Sequence, residues 1–327
     1  MARTVFHIGY MKTATTLLQG EVFPRLEQAS VHSYASRFPH RAYALRDTRD
    51  QSDLAELAND MRSWIVASPD DLTLFSWEGL VGDYLGDYRD AGMMLDLMRR
   101  VAPDAHVVLV IRRQAELANS LYKQALHRGH WPRFEQFVNY RDGRLGPFRP
   151  DGPANMSIAS LDFDAAVGRY EQAFGPDRVH VLAYEWLRTE PDRFWAGLSG
   201  ALGRPVARPS ATVTRNVGYN STTARMARRL NRLFRTPQNP GGLLPYRPFD
   251  RRLQRGSASG AWRKLLTALN APFDPRWLLQ GRLGQRMEGS SDLVPPPVRV
   301  AIDAACADSN RTLDRRRDLG LEALGYY

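Results

Sequence analysis

Cysteine is almost absent from this chain of 327 residues, with Cys306 standing alone. That excludes an intrachain disulfide, a thiolate zinc site and dithiol redox chemistry, and fits a reducing compartment. Long apolar runs are missing as well. No stretch approaches the roughly 18 apolar residues of a bilayer-crossing helix, and the N-terminus reaches Gly9, Tyr10 and Lys12 after a short apolar stretch. The expectation is a cytoplasmic chain with neither a signal peptide nor a transmembrane segment. Acid is missing in one place. From Arg204 to Lys264 there are fourteen Arg or Lys against the single Asp250, while the whole chain has 45 Lys+Arg against 35 Asp+Glu, a net charge of +10. A one-signed segment of that density predicts an anionic partner: a nucleotide, acidic lipid headgroups at the inner membrane face, a polyanionic acceptor or nucleic acid. The remaining composition, 43% hydrophobic and 24% charged, excludes a disordered tail, a collagen-like fibre and a low-complexity assembly.

The apolar runs that are present are short and spaced by helical patterns. Thr4 to Gly9 (TVFHIG), Leu72 to Ser76, His106 to Ile111 and Val179 to Tyr184 read as buried strands, and Val31 to Ser36 reads as either a fifth strand or loop. Thr13 to Leu26 reads as a helix. Strands alternating with helices predict right-handed crossovers and a parallel sheet, with the functional crevice outside the strands' carboxyl ends. Asn139 to Ser157, rich in Gly, Pro, Asp and Arg, reads as a long loop over the body. Ser221 to Phe234 reads as an amphipathic helix with Met226, Leu230, Leu233 and Phe234 on one side and arginines around the rest. A last long helix is expected over Val298 to Leu313. The expected organisation is an α/β core over 1–208 and a basic, mainly helical extension over 209–327.

The feature richest in chemistry is the turn Gly9-Tyr10-Met11-Lys12-Thr13-Ala14-Thr15-Thr16. A parallel strand that passes directly into a helix aims unsatisfied backbone N–H groups and the positive end of the helix at whatever occupies the turn. Lys12 adds a full charge, and the threonines add hydroxyl donors suited to phosphate or sulfate oxygens. The plainer reading is that the threonines cap a helix and Lys12 is solvated. A Walker A loop does not fit, because Lys12 follows Gly9 by three residues and has no glycine before it. The strand His106 to Ile111 also ends in Arg112-Arg113 where a magnesium-binding acid would stand. Arginine holds phosphate and not Mg²⁺, so the turn predicts a nucleotide bound without a metal.

These residues resemble the sulfotransferases that use 3′-phosphoadenosine 5′-phosphosulfate (PAPS), in particular bacterial, carbohydrate-type members. GYMKTATT is similar to that family's phosphosulfate loop, with Ala14 in place of the usual glycine. Arg112 and Ser120 stand at the spacing of its 3′-phosphate site, and VHVLAYEWLRTEP is similar to its strand followed by Tyr-Glu-x-Leu, which puts Tyr184 near the adenine. The ending SNRTLDRRRDLGLEALGYY resembles bacterial tails. The likeness spans about residues 4 to 205. It departs from the family at Leu17, where relatives carry a stacking Trp, and the family's Gly-rich donor loop is only loosely echoed by residues 255–264.

The resemblance implies an α/β fold with a central parallel β-sheet flanked by helices, like P-loop-containing nucleotide hydrolases, and a helical C-terminal region. It implies transfer of a sulfuryl group from PAPS to a hydroxyl of a carbohydrate or glycolipid, releasing PAP, with no metal required. Gly9 to Thr16, Arg112, Ser120 and Tyr184 would hold the donor. Sulfuryl transfer needs an in-line hydroxyl, a base for its proton and a cation on the oxygen that departs with the nucleotide. Lys12 is the candidate cation. Glu78 is the candidate base, because it follows the strand ending at Ser76 and sits beside Trp77, where partial burial would raise its pKa; His32 and His40 are the alternatives, whereas His7 reads as a core histidine. Arg113 is either a second phosphate contact or a partner for Glu116, and Tyr122 and Lys123 either face the acceptor or, as the plainer reading, pack the helix face. Two rival functions remain at this point: a Mg-ATP-dependent kinase with a degenerate P-loop, and a non-catalytic binder of anionic membrane or nucleic acid through residues 204–264.

Overall fold

The structure is a computed structural model, and it describes residues 2–33, 38–153, 155–209, 218–235, 239, 241–245, 279 and 286–327. Five strands build the main sheet: β1 (Arg3–His7), β2 (Ala29–His32), β3 (Leu72–Ser76), β4 (His106–Ile111) and β5 (Val179–Ala183). They lie in the order β2-β3-β1-β4-β5, every neighbouring pair parallel. The central strands are covered on both faces: all five residues of β3, Thr73 and Ser76 included, and all but the first of β4 are buried, and β4 reads as an apolar run for that reason. Edge strand β2 is half-buried along its whole length. That intermediate burial explains why its short alternation was ambiguous, and the strand closes at His32, ahead of the expected Ser36.

The helices that flank this sheet have legible causes. They are α1 (Phe38–Thr48), α2 (Gln51–Ala67), α3 (Ala91–Val101), α4 (Gln114–His127) and α5 (Phe163–Phe174), and Phe163, Ala166, Val167, Tyr170 and Phe174 place one apolar stripe along α5. Asp162 caps α5 by accepting from Ala165 N at 2.9 Å, which satisfies one of the orphan N–H groups of its first turn. Helix α6 (Pro191–Leu202) begins at a proline, where no N–H is lost, and buries Phe194, Leu198, Ala201 and Leu202. Both α5 and α6 contact β4 and β5. Truncating a buried leucine here, such as Leu109, costs about 3 kcal/mol.

By contacts the chain forms two units. The first is Met1–Leu117, Ala159–Val213 and Asp303–Tyr327, and holds the whole sheet; the second is Ala118–Ile158 and Thr214–Ile302. These units group segments that are distant in sequence, and residue 208 lies inside the first. Within the first, the end of α8 (Pro296–Arg317) is tied down by a buried amide pair: Gln114 Nε2 donates to Asn310 Oδ1 at 2.7 Å, Asn310 Nδ2 donates back at 3.1 Å, and it also reaches Tyr326 O at 3.0 Å.

Within the second unit, the expected loop after Asn139 contains a two-stranded hairpin, Tyr140–Arg141 with Arg144–Leu145. Its base is stapled by the buried amides of Asn139 and Asn155, 2.7 Å apart. Helix α7 (Ser221–Leu233) forms as expected, capped by Asn220, but its buried face is a correction. Thr223, Ala224, Ala227 and Asn231 are buried, as is Phe234 just past the helix, while Met226 and Leu233 are exposed. Asn231 explains this, since its amide donates to Leu126 O at 2.9 Å and His130 O at 2.8 Å. A close approach of that kind needs small residues beside the asparagine. The segment 255–264 and most of the basic stretch after Arg235 lie outside the described residues.

Candidate functional site

Strand β1 is the point where the chain reverses its direction of travel across the sheet: β2 and β3 lie to one side of it, β4 and β5 to the other. Ligands of open parallel sheets bind outside the carboxyl ends of the strands at such a point. Three adjacent strands, β3, β1 and β4, therefore deliver the candidate residues to one edge. Ile8 N donates to Val108 O at 3.0 Å and Trp77 N donates to His7 O at 3.1 Å, which carries the pairing one residue past each strand.

The turn after β1 is tight. Lys12 and Ala14 both adopt φ of 69°, the left-handed region that costs a non-glycine residue about 1–2 kcal/mol. Ala14 precedes the first helical residue, Thr15, in a conformation that glycine would adopt without the Cβ strain. Thr13 is buried and its hydroxyl donates to Tyr10 O, closing the turn on itself. Gly9 packs closely, since a Cβ there would lie 3.1 Å from Thr13 Oγ1 and 3.4 Å from both His7 Nε2 and Val110 Cβ and would press on the Thr13 hydroxyl. Thr15 Oγ1 is buried without a hydrogen-bond partner. A buried hydroxyl left over in the first helical turn, beside N–H groups that have no carbonyl one turn behind them, fits an anion. Lys12 and Thr16 are exposed.

The helix that follows differs from expectation. It makes one α turn (Thr15–Leu17), passes into a π-helix (Leu18–Val22) and ends in a 3₁₀ turn (Phe23–Arg25). Pro24 helps to impose that ending, as it has no N–H to continue the helix. Tyr10 points its ring away from any ligand into a core cluster with Tyr88 and Phe163, at 5.4 and 5.2 Å between ring centroids. Burial pushes its phenol well above the ordinary range, against a nearby Arg169 that lowers it. Of Tyr10 only the main chain is available to a ligand.

Arg112, at the exit of β4, reaches back to this turn: its Nη1 donates to Lys12 O at 3.0 Å. The same guanidinium lies over the Tyr184 ring, 4.6 Å from its centroid, and Tyr184 is fixed by donating its N–H to Ile111 O at 2.8 Å. Lys12, Arg112 and Tyr184 are thus joined in one chain of contacts. Among the described residues Arg112 meets a carbonyl and an aromatic face and no carboxylate. Its neighbour Arg113 pairs with Glu116 at 2.9 Å, which answers the open question about it. Ser120 is half-buried on α4 and belongs to the second unit, as do Tyr122 and Lys123. The Tyr122 hydroxyl donates to Pro132 O at 2.8 Å and Lys123 to Ser291 O.

Glu78 opens a 3₁₀ turn (Glu78–Val81) directly after Trp77 and is buried. Trp77 is fully buried and lies so close over Gly79 that a Cβ there would overlap the indole. The Arg46 guanidinium stacks 4.9 Å from the Trp77 ring centroid and pairs with Asp90 at 2.5 Å. The turn carrying Glu78 is held by these contacts. His32 ends β2 stacked between Phe75 and Trp64, at 4.9 and 5.4 Å, and burial lowers its pKa. His40 is exposed on α1.

Two groups of residues at this edge went unrecognised in the sequence. Gln19 Nε2 donates to Ser76 O at 2.8 Å and to Ser76 Oγ at 3.0 Å, and Ser76 Oγ lies 2.8 Å from His7 Nδ1. Glu185 accepts from Arg113 N at 3.1 Å and from the Tyr326 hydroxyl at 2.8 Å, which fastens the last residues of the chain beside the exit of β4. Neither has a short-range signal, since each is a contact between residues far apart in sequence.

No protein family and no curated protein matches the chain. Among solved structures, the crystal structure of a sulfotransferase from Alicyclobacillus acidocaldarius aligns with a TM-score of 0.44 and 15% sequence identity, over 87% of this chain and 98% of that one.

Proposed function

We propose that this protein transfers a sulfuryl group from PAPS to a hydroxyl of a carbohydrate or glycolipid acceptor and releases PAP. The observation that carries the reading is the Arg112 guanidinium on the Lys12 carbonyl, 3.0 Å away, which joins the two cationic strand exits across the switch point of the sheet. PAPS bears roughly four negative charges, and each cation within about 4 Å of one contributes on the order of 4 kcal/mol at an effective dielectric near 20. The chain uses lysine only at positions 12, 123 and 264 among its 45 basic residues. Lysine at the turn supplies a compact, mobile point charge where the chain otherwise writes arginine.

In this reading the Gly9 to Thr16 turn binds the 5′-phosphosulfate through backbone N–H groups and the hydroxyls of Thr15 and Thr16, and Lys12 neutralises the oxygen that departs with the nucleotide. Arg112 and Ser120 take the 3′-phosphate. Tyr184 borders the adenine, with its ring already covered on one face by Arg112. Glu78 accepts the proton of the acceptor hydroxyl as that oxygen attacks sulfur in line. The carbohydrate class of acceptor rests on the bacterial-type resemblance and the basic surface.

Calorimetric titration with PAP, and with ATP as control, each in EDTA and in Mg²⁺, tests the donor half. The expected outcome is PAP binding that is indifferent to Mg²⁺ and lost in Lys12→Ala. Binding of Mg-ATP without PAP would assign the turn to a kinase.

A further inference from the structure

Three side chains beneath the Gly9 turn fix each other's protons. The Ser76 carbonyl can only accept, so Gln19 must present its Nε2 to that side, and the second hydrogen of the same amide then points to Ser76 Oγ. Ser76 Oγ therefore accepts from Gln19, and its own hydrogen goes to its other partner, His7 Nδ1, at 2.8 Å. With Nδ1 an acceptor, the neutral imidazole carries its hydrogen on Nε2. Burial lowers the His7 pKa to about 4, so the ring is neutral at pH 7. Nε2 is buried without a hydrogen-bond partner and faces the space over the Gly9 α-carbon, which it shares with Thr13 Oγ1.

A buried N–H with no acceptor costs about 1–3 kcal/mol. Apolar residues would fill the site without that cost. The Phe23 ring already packs edge-on against His7 at 5.3 Å, so a larger apolar cluster was available to the fold. We propose that His7 is a positioning residue for the donor turn: its Nε2–H supports the Gly9–Thr13 backbone from below when the donor is bound, through a relay from Gln19 and Ser76 that ties the turn to the end of β3, two residues before Glu78. This rests on the reading of the turn as the PAPS site.

The test begins on the wild-type protein, with ¹⁵N-labelled histidine followed by NMR while PAP is added. The relay predicts His7 with hydrogen on Nε2 and none on Nδ1, and a shift of the Nε2–H signal on PAP binding while Nδ1 stays bonded to Ser76. Two substitutions then separate the ring's nitrogens. His7→Asn keeps an acceptor near Ser76 and removes the Nε2 donor; it is expected to weaken PAP at least tenfold with little change in melting temperature. His7→Gln can restore a donor near Nε2 and is expected to stay within about threefold of wild type. PAP binding with no response at Nε2, a ring protonated on Nδ1, or equal PAP affinity in wild type and a folded His7→Asn would each overturn the proposal while leaving the donor reading intact. Failure of the wild-type protein to bind PAP would remove the donor reading, and this proposal with it.

Discussion

The two edges of the main sheet are both rich in cations and use them differently. At the amino edge, Arg3 donates to His106 Nδ1 and to Gly200 O, both at 3.0 Å, and His180 Nε2 lies 3.0 Å from the same His106 nitrogen. Arg178 pairs with Asp104 at 3.1 Å and Arg204 pairs with Asp71. Each charge there is spent on holding neighbouring chain segments. At the carboxyl edge, Arg112 meets only a carbonyl and the Tyr184 ring among the described residues. A cation that the fold positions but does not pair with acid keeps its attraction for a ligand, and this distinguishes a binding arginine from a structural one more sharply than sequence position does.

The largest expected effect breaks that contrast at its strongest point. Lys12→Ala should weaken PAP by about 100-fold or more, the order expected for removing a charge-assisted contact to an oxyanion. Arg112→Ala should cost roughly 10- to 100-fold in PAP affinity, and Arg112→Lys should recover only part, since a planar fork and its stacking on Tyr184 are lost. Arg204→Ala at the other edge is the matched control. It should leave PAP affinity unchanged while lowering stability by about 1–3 kcal/mol, because the largely buried Arg204 donates to the Glu27 and Gln28 carbonyls as well as pairing with Asp71. Equal losses of PAP affinity at both edges would dissolve the comparison.

Glu78→Gln sharpens it within the carboxyl edge. The side chains are nearly isosteric, so PAP affinity should stay within about twofold while turnover with PAPS and an acceptor falls on the order of 100-fold or more, the range of a removed general base. Full turnover in Glu78→Gln would move the role to another group, and His32 at the end of β2 would be the next to substitute.

The same contrast marks what could be read from sequence. The strands β3 and β4 and the turn between β1 and its helix were legible because buried parallel strands write short, mainly apolar runs, and because a strand passing straight into a helix has only a few residues in which to place Lys12. Helix α7 was legible as a helix but not in its orientation. Its sequence offers Met226 and Leu233 as the apolar choice, yet the fold buries Ala224, Ala227 and Asn231, since two partner carbonyls are reached only by a short amide on a narrow face. The Gln19–Ser76–His7 relay and the Glu185–Tyr326 contact were illegible. Tyr326 stands 141 residues from Glu185, and no local pattern encodes a contact of that range.

Acid should weaken the fold through its buried histidines. His7 is held at about 4 by desolvation, against 6.5 in the unfolded chain, so between those values the unfolded state binds more protons and stability rises with pH. The contribution is fully present above about pH 6.5 and is lost as pH falls toward 4, on the order of 3 kcal/mol for this one group. Urea midpoints measured at pH 7.0, 5.5 and 4.5 (roughly spanning this window) should fall steadily in wild type and less steeply in His7→Gln. An unchanged slope in that variant would mean that other groups, His180 at the amino edge among them, carry the acid sensitivity.

The smallest expected effect concerns the turn itself. Ala14 sits at φ 69° and ψ 10° immediately before Thr15, a conformation in which its Cβ crowds the following carbonyl at a cost of about 1–2 kcal/mol. Glycine would remove that cost but loses more backbone entropy on folding, about 0.5–1 kcal/mol relative to alanine. The difference favours Ala14→Gly by about 0.5 kcal/mol, which for a chain of this length amounts to a rise of roughly 1–2 °C in melting temperature. Because the amide of residue 14 is kept and the left-handed turn becomes easier to adopt, PAP affinity should hold or improve slightly. A drop in melting temperature would show that the alanine methyl makes contacts worth more than its backbone strain, and that the turn is shaped by packing at position 14 more than by conformational preference.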